Sequence, residues 1–204
     1  MTRLLLTLLI LFSTTTYGQN ATNIKKKAKE FQDSLMRNNI DTMLEYTLEC
    51  VGYYSTDTCK LFDGHFFLWK QNDKTFLKRI DDCNIYKAVL LDTINPLTFY
   101  VSQKKNIDRE IIYPPTYIQS KHGESETAIS LYIDHTCYTE ITTTIKAKKT
   151  FKRVSDYNLT FEKFDNGRKN IYYNYNQKTK LKKLVEDMAQ LVQQINRDKK
   201  FEVE

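Results

Sequence analysis

The chain predicts a single α+β domain, an antiparallel β-sheet with N-terminal, middle and long C-terminal helices packed on one face. Three observations carry this. Apolar residues recur at helical spacing near both ends, at Ile24, Ala28, Phe31 and Leu35 and from Leu181 to Ile195. The segments between them alternate in polarity and are punctuated by two-residue turn signals such as Asn72-Asp73 and Asn166-Gly167. No repeat, low-complexity tract or Gly/Ser/Pro-rich linker divides the chain, as expected of one domain.

The elements follow in order. The first helix is expected from about Asn23 to Arg37, stopped by Asn38-Asn39. Met43 to Cys50 reads as a strand, because alternation is sustained and Thr47 and Tyr46 suit a pleated surface. His65 to Asp81 reads as a hairpin in which Trp69 faces Phe76 and Leu68 faces Leu77. Both faces of its first strand are apolar, so it belongs inside the sheet or beneath a helix or partner. Tyr86 to Leu91 is a further strand. Asn95-Pro96 starts the middle helix, Asn as N-cap and Pro at the first position, with Leu97, Tyr100 and Val101 inward. Pro114-Pro115 breaks regular structure, and Ser120 to Glu126 is a polar loop. Strands are expected at Thr127–Ile133, Tyr138–Ile145 and Thr150–Val154. Asn166-Gly167 should join Leu159–Phe164 to Lys169–Tyr175 as a type I′ hairpin. The last helix runs from about Gln177 to Arg197. Leu181, Leu184, Val185, Met188, Leu191, Val192 and Ile195 form its buried stripe.

The N-terminus carries an address. Arg3 precedes a short apolar run, Leu4 to Phe12, and Thr16-Tyr17-Gly18 supplies small residues before a polar stretch. This is the pattern of a secretory signal peptide, and the run is shorter than the roughly 20 residues a membrane span needs. Cleavage near Gly18 would leave residues 19–204 as the domain, periplasmic or secreted. No cysteine follows the cleavage point, so a lipoprotein anchor is not indicated.

The formal net charge is +6. Basic residues cluster at Lys25, Lys26, Lys27 and Lys29, at Lys146, Lys148, Lys149, Lys152 and Arg153, and at Lys178, Lys180, Lys182 and Lys183. A solubilising surface is the simplest reading, with an anionic surface or glycan as the alternative contact. Nucleic acid is disfavoured by export and by the lack of a recognition motif. The four cysteines, Cys50, Cys59, Cys83 and Cys137, imply two disulfides in an exported chain. The expected pairing is Cys50–Cys59, closing a short polar loop, and Cys83–Cys137, tying distant parts of the sheet.

Catalytic signals are sparse. His135 lies two residues before Cys137, so in a strand both would share a face and could form a metal site or a thiolate–imidazole pair; the simpler reading is an oxidised Cys137 with His135 at a strand end or turn. His65 opens an aromatic strand. These two histidines are the catalytic candidates. No closely spaced Cys or His completes a metal site, and no cofactor is implied. Hydrolase elbows, zinc-protease helices and phosphate-cradling glycine loops are missing, and the chain has only five glycines. The positive signal is aromatic: Phe67, Trp69 and Tyr173 could anchor a peptide, glycan or lipid. The expectation is therefore an exported, non-enzymatic binding or accessory protein with an envelope or extracellular partner. A small envelope hydrolase or metal-dependent enzyme is the alternative, and an immunity-type inhibitor a third.

Overall fold

A six-stranded antiparallel sheet forms the centre of the computed structural model, which describes residues 15–51, 64–92, 95–120 and 125–204. Its strands are β1 (Thr42–Cys50), β2 (Gly64–Gln71), β3 (Lys74–Asp81), β4 (Val89–Leu91), β7 (Cys137–Ile145) and β8 (Lys148–Ser155), in the order β4-β3-β2-β1-β7-β8. A separate two-stranded ribbon pairs β5 (Thr116–Gln119) with β6 (Thr127–Ser130). The helices are α1 (Thr15–Arg37), α2 (Pro96–Arg109), α3 (Asp156–Thr160), α4 (Tyr173–Lys178) and α5 (Lys180–Arg197).

The β2–β3 hairpin has the expected register, Trp69 opposite Phe76 and Leu68 opposite Leu77. Its turn residues Asn72 and Asp73 have φ of 49° and 61°, the left-handed backbone a type I′ turn demands. The β7–β8 hairpin turns the same way through Lys146 and Ala147, at φ 47° and 64°. Neither residue favours that region, which is why the sequence carried no turn signal there.

The helices divide between both faces of the sheet rather than covering one. On one face, α2 and α5 bury Leu97, Tyr100, Ile107, Leu184, Met188 and Leu191 against Leu44, Phe66, Leu68, Leu77 and Ile141. On the other, α1 packs Ala28, Phe31 and Leu35 over Met43, Phe67, Trp69 and Ile80. The cause is the doubly apolar β2, where Phe66 and Leu68 point one way and Phe67 and Trp69 the other. Among the described residues, the α1 core draws on β1, β2 and β3, and no helix packs on the β7–β8 half of that face.

Helix ends follow local chemistry. Asn39 takes φ 58° just beyond α1, and Ile40 N–H reaches Leu35 C=O at 3.0 Å. That is a Schellman close with its customary apolar contact, here Ile40 and Leu35 in one core. At α2, Asn95 Oδ1 accepts from Thr98 N–H at 3.0 Å with Pro96 at the first helical position, as expected. Leu97 and Tyr100 are buried, but Val101 is 46% exposed, one step around the helix from the packed stripe.

Other expectations need correction. α1 begins at Thr15, upstream of the expected start at Asn23. Residues 1–14 lie outside the described part, and with them most of the expected signal segment. The Tyr86–Leu91 strand shortens to β4, with Tyr86 bridging Val203 instead. The Thr127–Ile133 strand ends at Ser130. The Leu159–Phe164/Lys169–Tyr175 hairpin reduces to one bridge, Lys163 to Lys169, beside Gly167 at φ 81°. Two buried asparagines explain the change. Asn170 accepts from Thr116 and Tyr172 N–H and donates to Phe161 C=O, and Asn176 binds Tyr113 and Asn158 main-chain groups. Side chains thereby take the backbone partners that a ladder would have supplied.

Candidate functional site

The cysteines define one end of the sheet. Cys50 and Cys137 are bonded, not Cys50 with Cys59 or Cys83 with Cys137. They are 87 residues apart in sequence but directly opposite in the β1–β7 ladder. Val51 N–H donates to Thr136 C=O at 3.1 Å just outside them, so they occupy a non-hydrogen-bonded site, where facing Cα atoms come closest. Cys83 is also disulfide-bonded, and Cys59 lies outside the described residues. With its sulfur in the cross-strand bond, Cys137 offers no thiolate to His135. His135 itself is exposed in the turn before β7, outside the strand that would have aligned the two.

His65 is better placed. Its Nδ1 lies 2.6 Å from Glu45 Oε1, and both side chains are largely buried. The ring stacks on Phe67. It borders a cleft of ≈ 350 Å³ shared with Lys25, Thr47, Glu49, Asp82 and Glu140. Phe67 and Trp69 do not line that cleft. They are 0% and 6% exposed and pack edge-on against Phe31 beneath α1. Among the described residues, no group of three His, Cys, Asp or Glu is positioned to hold a metal ion. No helix among them is long and apolar enough to cross a membrane.

A different carboxyl stands on the opposite face. Asp156 is the first residue of α3, directly after β8. β8 and the β1–β7 ladder bring it to the mouth of a cavity of ≈ 180 Å³ between the sheet and α5. The walls are Tyr46, Leu48, Phe66 and Thr139 from the strands and Val185, Ala189, Val192 and Gln193 from α5. A second cleft of ≈ 420 Å³ adjoins it, lined by Leu159, Tyr173, Gln177, Lys182 and Glu186. Asp156, Val185 and Ala189 border both spaces, so the carboxyl stands at their junction. Tyr173, an aromatic candidate from the sequence, belongs to this outer cleft.

The electrostatics single out Asp156. Burial alone pushes its pKa up, because the charged form loses water without gaining a partner. Its carboxyl makes no hydrogen bond or ion pair among the described residues. Burial also raises the Tyr46 phenol, the Asp156 charge adds to that, and the Thr139 hydroxyl acts in the opposite direction. The arrangement offers an apolar chamber, two hydroxyls and one acid with acceptor capacity to spare. Asp156 carried no sequence signal: a lone Asp before Tyr157 becomes notable only once β1, β7 and α5 surround it. No protein-family model, curated protein or solved structure matches the chain.

Proposed function

We propose that the chain is an exported, non-enzymatic binding protein that takes a small apolar ligand bearing an amine in the cleft beside Asp156. The uncompensated, half-buried carboxyl at the junction of two cavities carries this reading. Apolar pockets with a few convergent polar groups and a perturbed acid are the usual form of a ligand site. A cavity of about 150 Å³ accommodates a benzene ring, so the inner chamber suits one ring or a branched aliphatic group. An ammonium at its mouth would supply the charge that Asp156 lacks and would favour its ionised form. The disulfide is compatible with an oxidising compartment, and the signal-like N-terminus supports export.

Calorimetry with 2-phenylethylamine tests the reading, with 3-phenylpropionate as the anionic counterpart. The amine should bind and the acid should not. Asp156→Asn should weaken amine binding by about tenfold, the worth of a charge-assisted hydrogen bond, and Ala189→Phe should abolish it by filling the chamber. Equal binding of both compounds, or an unaffected Asp156→Asn variant, would refute it.

A hydrolase is the second reading, favoured by one observation, the His65–Glu45 contact at the edge of an open cleft. A carboxylate on one ring nitrogen orients the other as a general base. Any esterase or amidase activity of the mature protein must vanish in His65→Ala for this reading to stand.

A further inference from the structure

We propose that the free edge of β8 is a docking site for an extended, acidic segment of a partner protein, added as a seventh strand. Among the described residues β8 is the last strand of the sheet, eight residues long, which corresponds to about 26 Å of extended chain. The hydrogen-bonding phase of the sheet follows from the disulfide end. Cys50–Cys137 is a non-hydrogen-bonded pair, so residues 138, 140, 142 and 144 of β7 bond to β1 and residues 139, 141, 143 and 145 bond to β8. Lys148, Thr150, Lys152 and Val154 therefore spend their main-chain groups on β7. The N–H and C=O of Lys149, Phe151 and Arg153 point away from the sheet, with no hydrogen-bond partner among the described residues. Three donors and three acceptors at two-residue spacing are what strand addition requires.

Charge selects the occupant. Lys148 and Lys149 lie on this strand and Lys146 in its turn, all three exposed and without an ion pair among the described residues. Arg153 is held by Glu49 and Glu140 and stacked on Tyr138, and Lys152 is turned inward onto main-chain carbonyls. A second copy of β8 would place lysines and arginine against each other, so self-pairing is opposed. A carboxylate-rich strand meets the opposite condition. Phe151, 55% exposed at the centre of the edge, gives an incoming apolar side chain a surface on the half of the sheet that α1 leaves uncovered.

Lysines on an edge can also serve only to repel stray strands, and the test separates the two roles. The probe is a fluorescein-labelled nine-residue peptide of alternating valine and glutamate, with a valine–lysine peptide as control. Fluorescence anisotropy should show binding of the acidic peptide alone, weakening at least tenfold when Lys148 and Lys149 are both changed to Glu. Amide shifts in ¹⁵N spectra should concentrate at Lys149, Phe151 and Arg153. Phe151→Pro removes one outward N–H at a position where edge strands tolerate proline and should abolish binding. Phe151→Ala keeps the N–H and should retain it, with thermal melts confirming that both variants fold. Binding that survives Phe151→Pro, shifts that map elsewhere, or no binding of the acidic peptide would overturn the proposal. So would a Lys148→Thr/Lys149→Thr variant that self-associates while binding the peptide unchanged, since the lysines would then only guard the edge.

Discussion

Replacing Asn176 with alanine should be among the most damaging polar substitutions in this protein. The side chain is fully buried and makes three hydrogen bonds. Its Oδ1 accepts from Tyr113 N–H at 3.1 Å, and its Nδ2 donates to Tyr113 C=O at 2.8 Å and Asn158 C=O at 3.0 Å. It thereby joins the segment after α2 to α3 and α4. Alanine leaves three main-chain groups without partners, each costing about 1–3 kcal/mol if water cannot reach it. Tyr113 and Asn158 are half-buried, so the low end applies, and the total comes to about 3 kcal/mol. With a urea slope of about 2 kcal/mol/M, the unfolding midpoint should fall by about 1.5 M at unchanged slope. Asn174, exposed on the same short helix, is the control, and its alanine variant should lie within about 0.5 kcal/mol of the parent. Asn176→Asp should be no better than alanine, because a carboxylate would face two carbonyl oxygens. A loss below about 1 kcal/mol for Asn176→Ala, or a stable Asn176→Asp, would refute the claim that this side chain holds the region together.

Three further outcomes are expected. Lys152 Nζ donates to Asp108 C=O at 2.7 Å and Glu110 C=O at 2.9 Å, closing the C-terminal end of α2. Lys152→Met should cost about 1–2 kcal/mol in denaturant melts and speed amide exchange in the last turn of that helix. Asp156→Asn should stabilise the unliganded protein, with a defined pH signature. The folded pKa is raised above the ordinary 3.8, so the acid's contribution is intact below that value and is lost as pH rises through the folded one. The melting temperatures of parent and variant should therefore coincide at low pH and diverge in favour of Asn toward neutrality; a constant gap would assign the effect to packing. Non-reducing peptide mapping should join the Cys50 and Cys137 peptides. Cys50→Ser with Cys137→Ser should cost about 4 kcal/mol, given the long loop that the bond closes. Recovery of a Cys50–Cys59 peptide would contradict the β1–β7 register.

What the sequence revealed was local. The Asn72-Asp73 turn, the Asn95-Pro96 start and the α5 stripe each rest on residues within one or two turns of each other. Their chemistry is complete before any tertiary contact forms. What it concealed depends on partners far along the chain. Cys50 and Cys137 meet because β1 sits beside β7, a neighbour relation that no spacing rule encodes. Asn170 and Asn176 look like surface polar residues, and only the fold shows that they serve Thr116, Tyr113 and Asn158. The Lys146-Ala147 turn escaped notice because its residues are poor in the left-handed region, so the ladder imposes the turn. The candidate site was legible to the same limited degree. Tyr173 and His65 could be singled out by type, but Asp156 acquires meaning only from Tyr46, Phe66 and α5 around it.

Several buried polar side chains find their partners within the fold, and Asp156 differs from them in a way that supports the proposed site. Tyr100 accepts from Thr143 and donates to Asp108, which is paired with Lys104. Asn170 and Asn176 are likewise satisfied, and each of these networks repays its desolvation within the fold. Asp156 is partly buried, has no such partner among the described residues, and borders two cavities. On the proposed reading, the partner that Asp156 lacks among the described residues is a ligand cation at the two adjoining cavities. Stability alone favours asparagine or an apolar residue there, and departures from that preference are expected where function is placed. A ligand cation would therefore stabilise the protein through Asp156, and the increment should disappear in Asp156→Asn. Thermal shift with saturating 2-phenylethylamine should raise the parent's melting temperature and leave the variant's unchanged; equal shifts in both would remove Asp156 from the site.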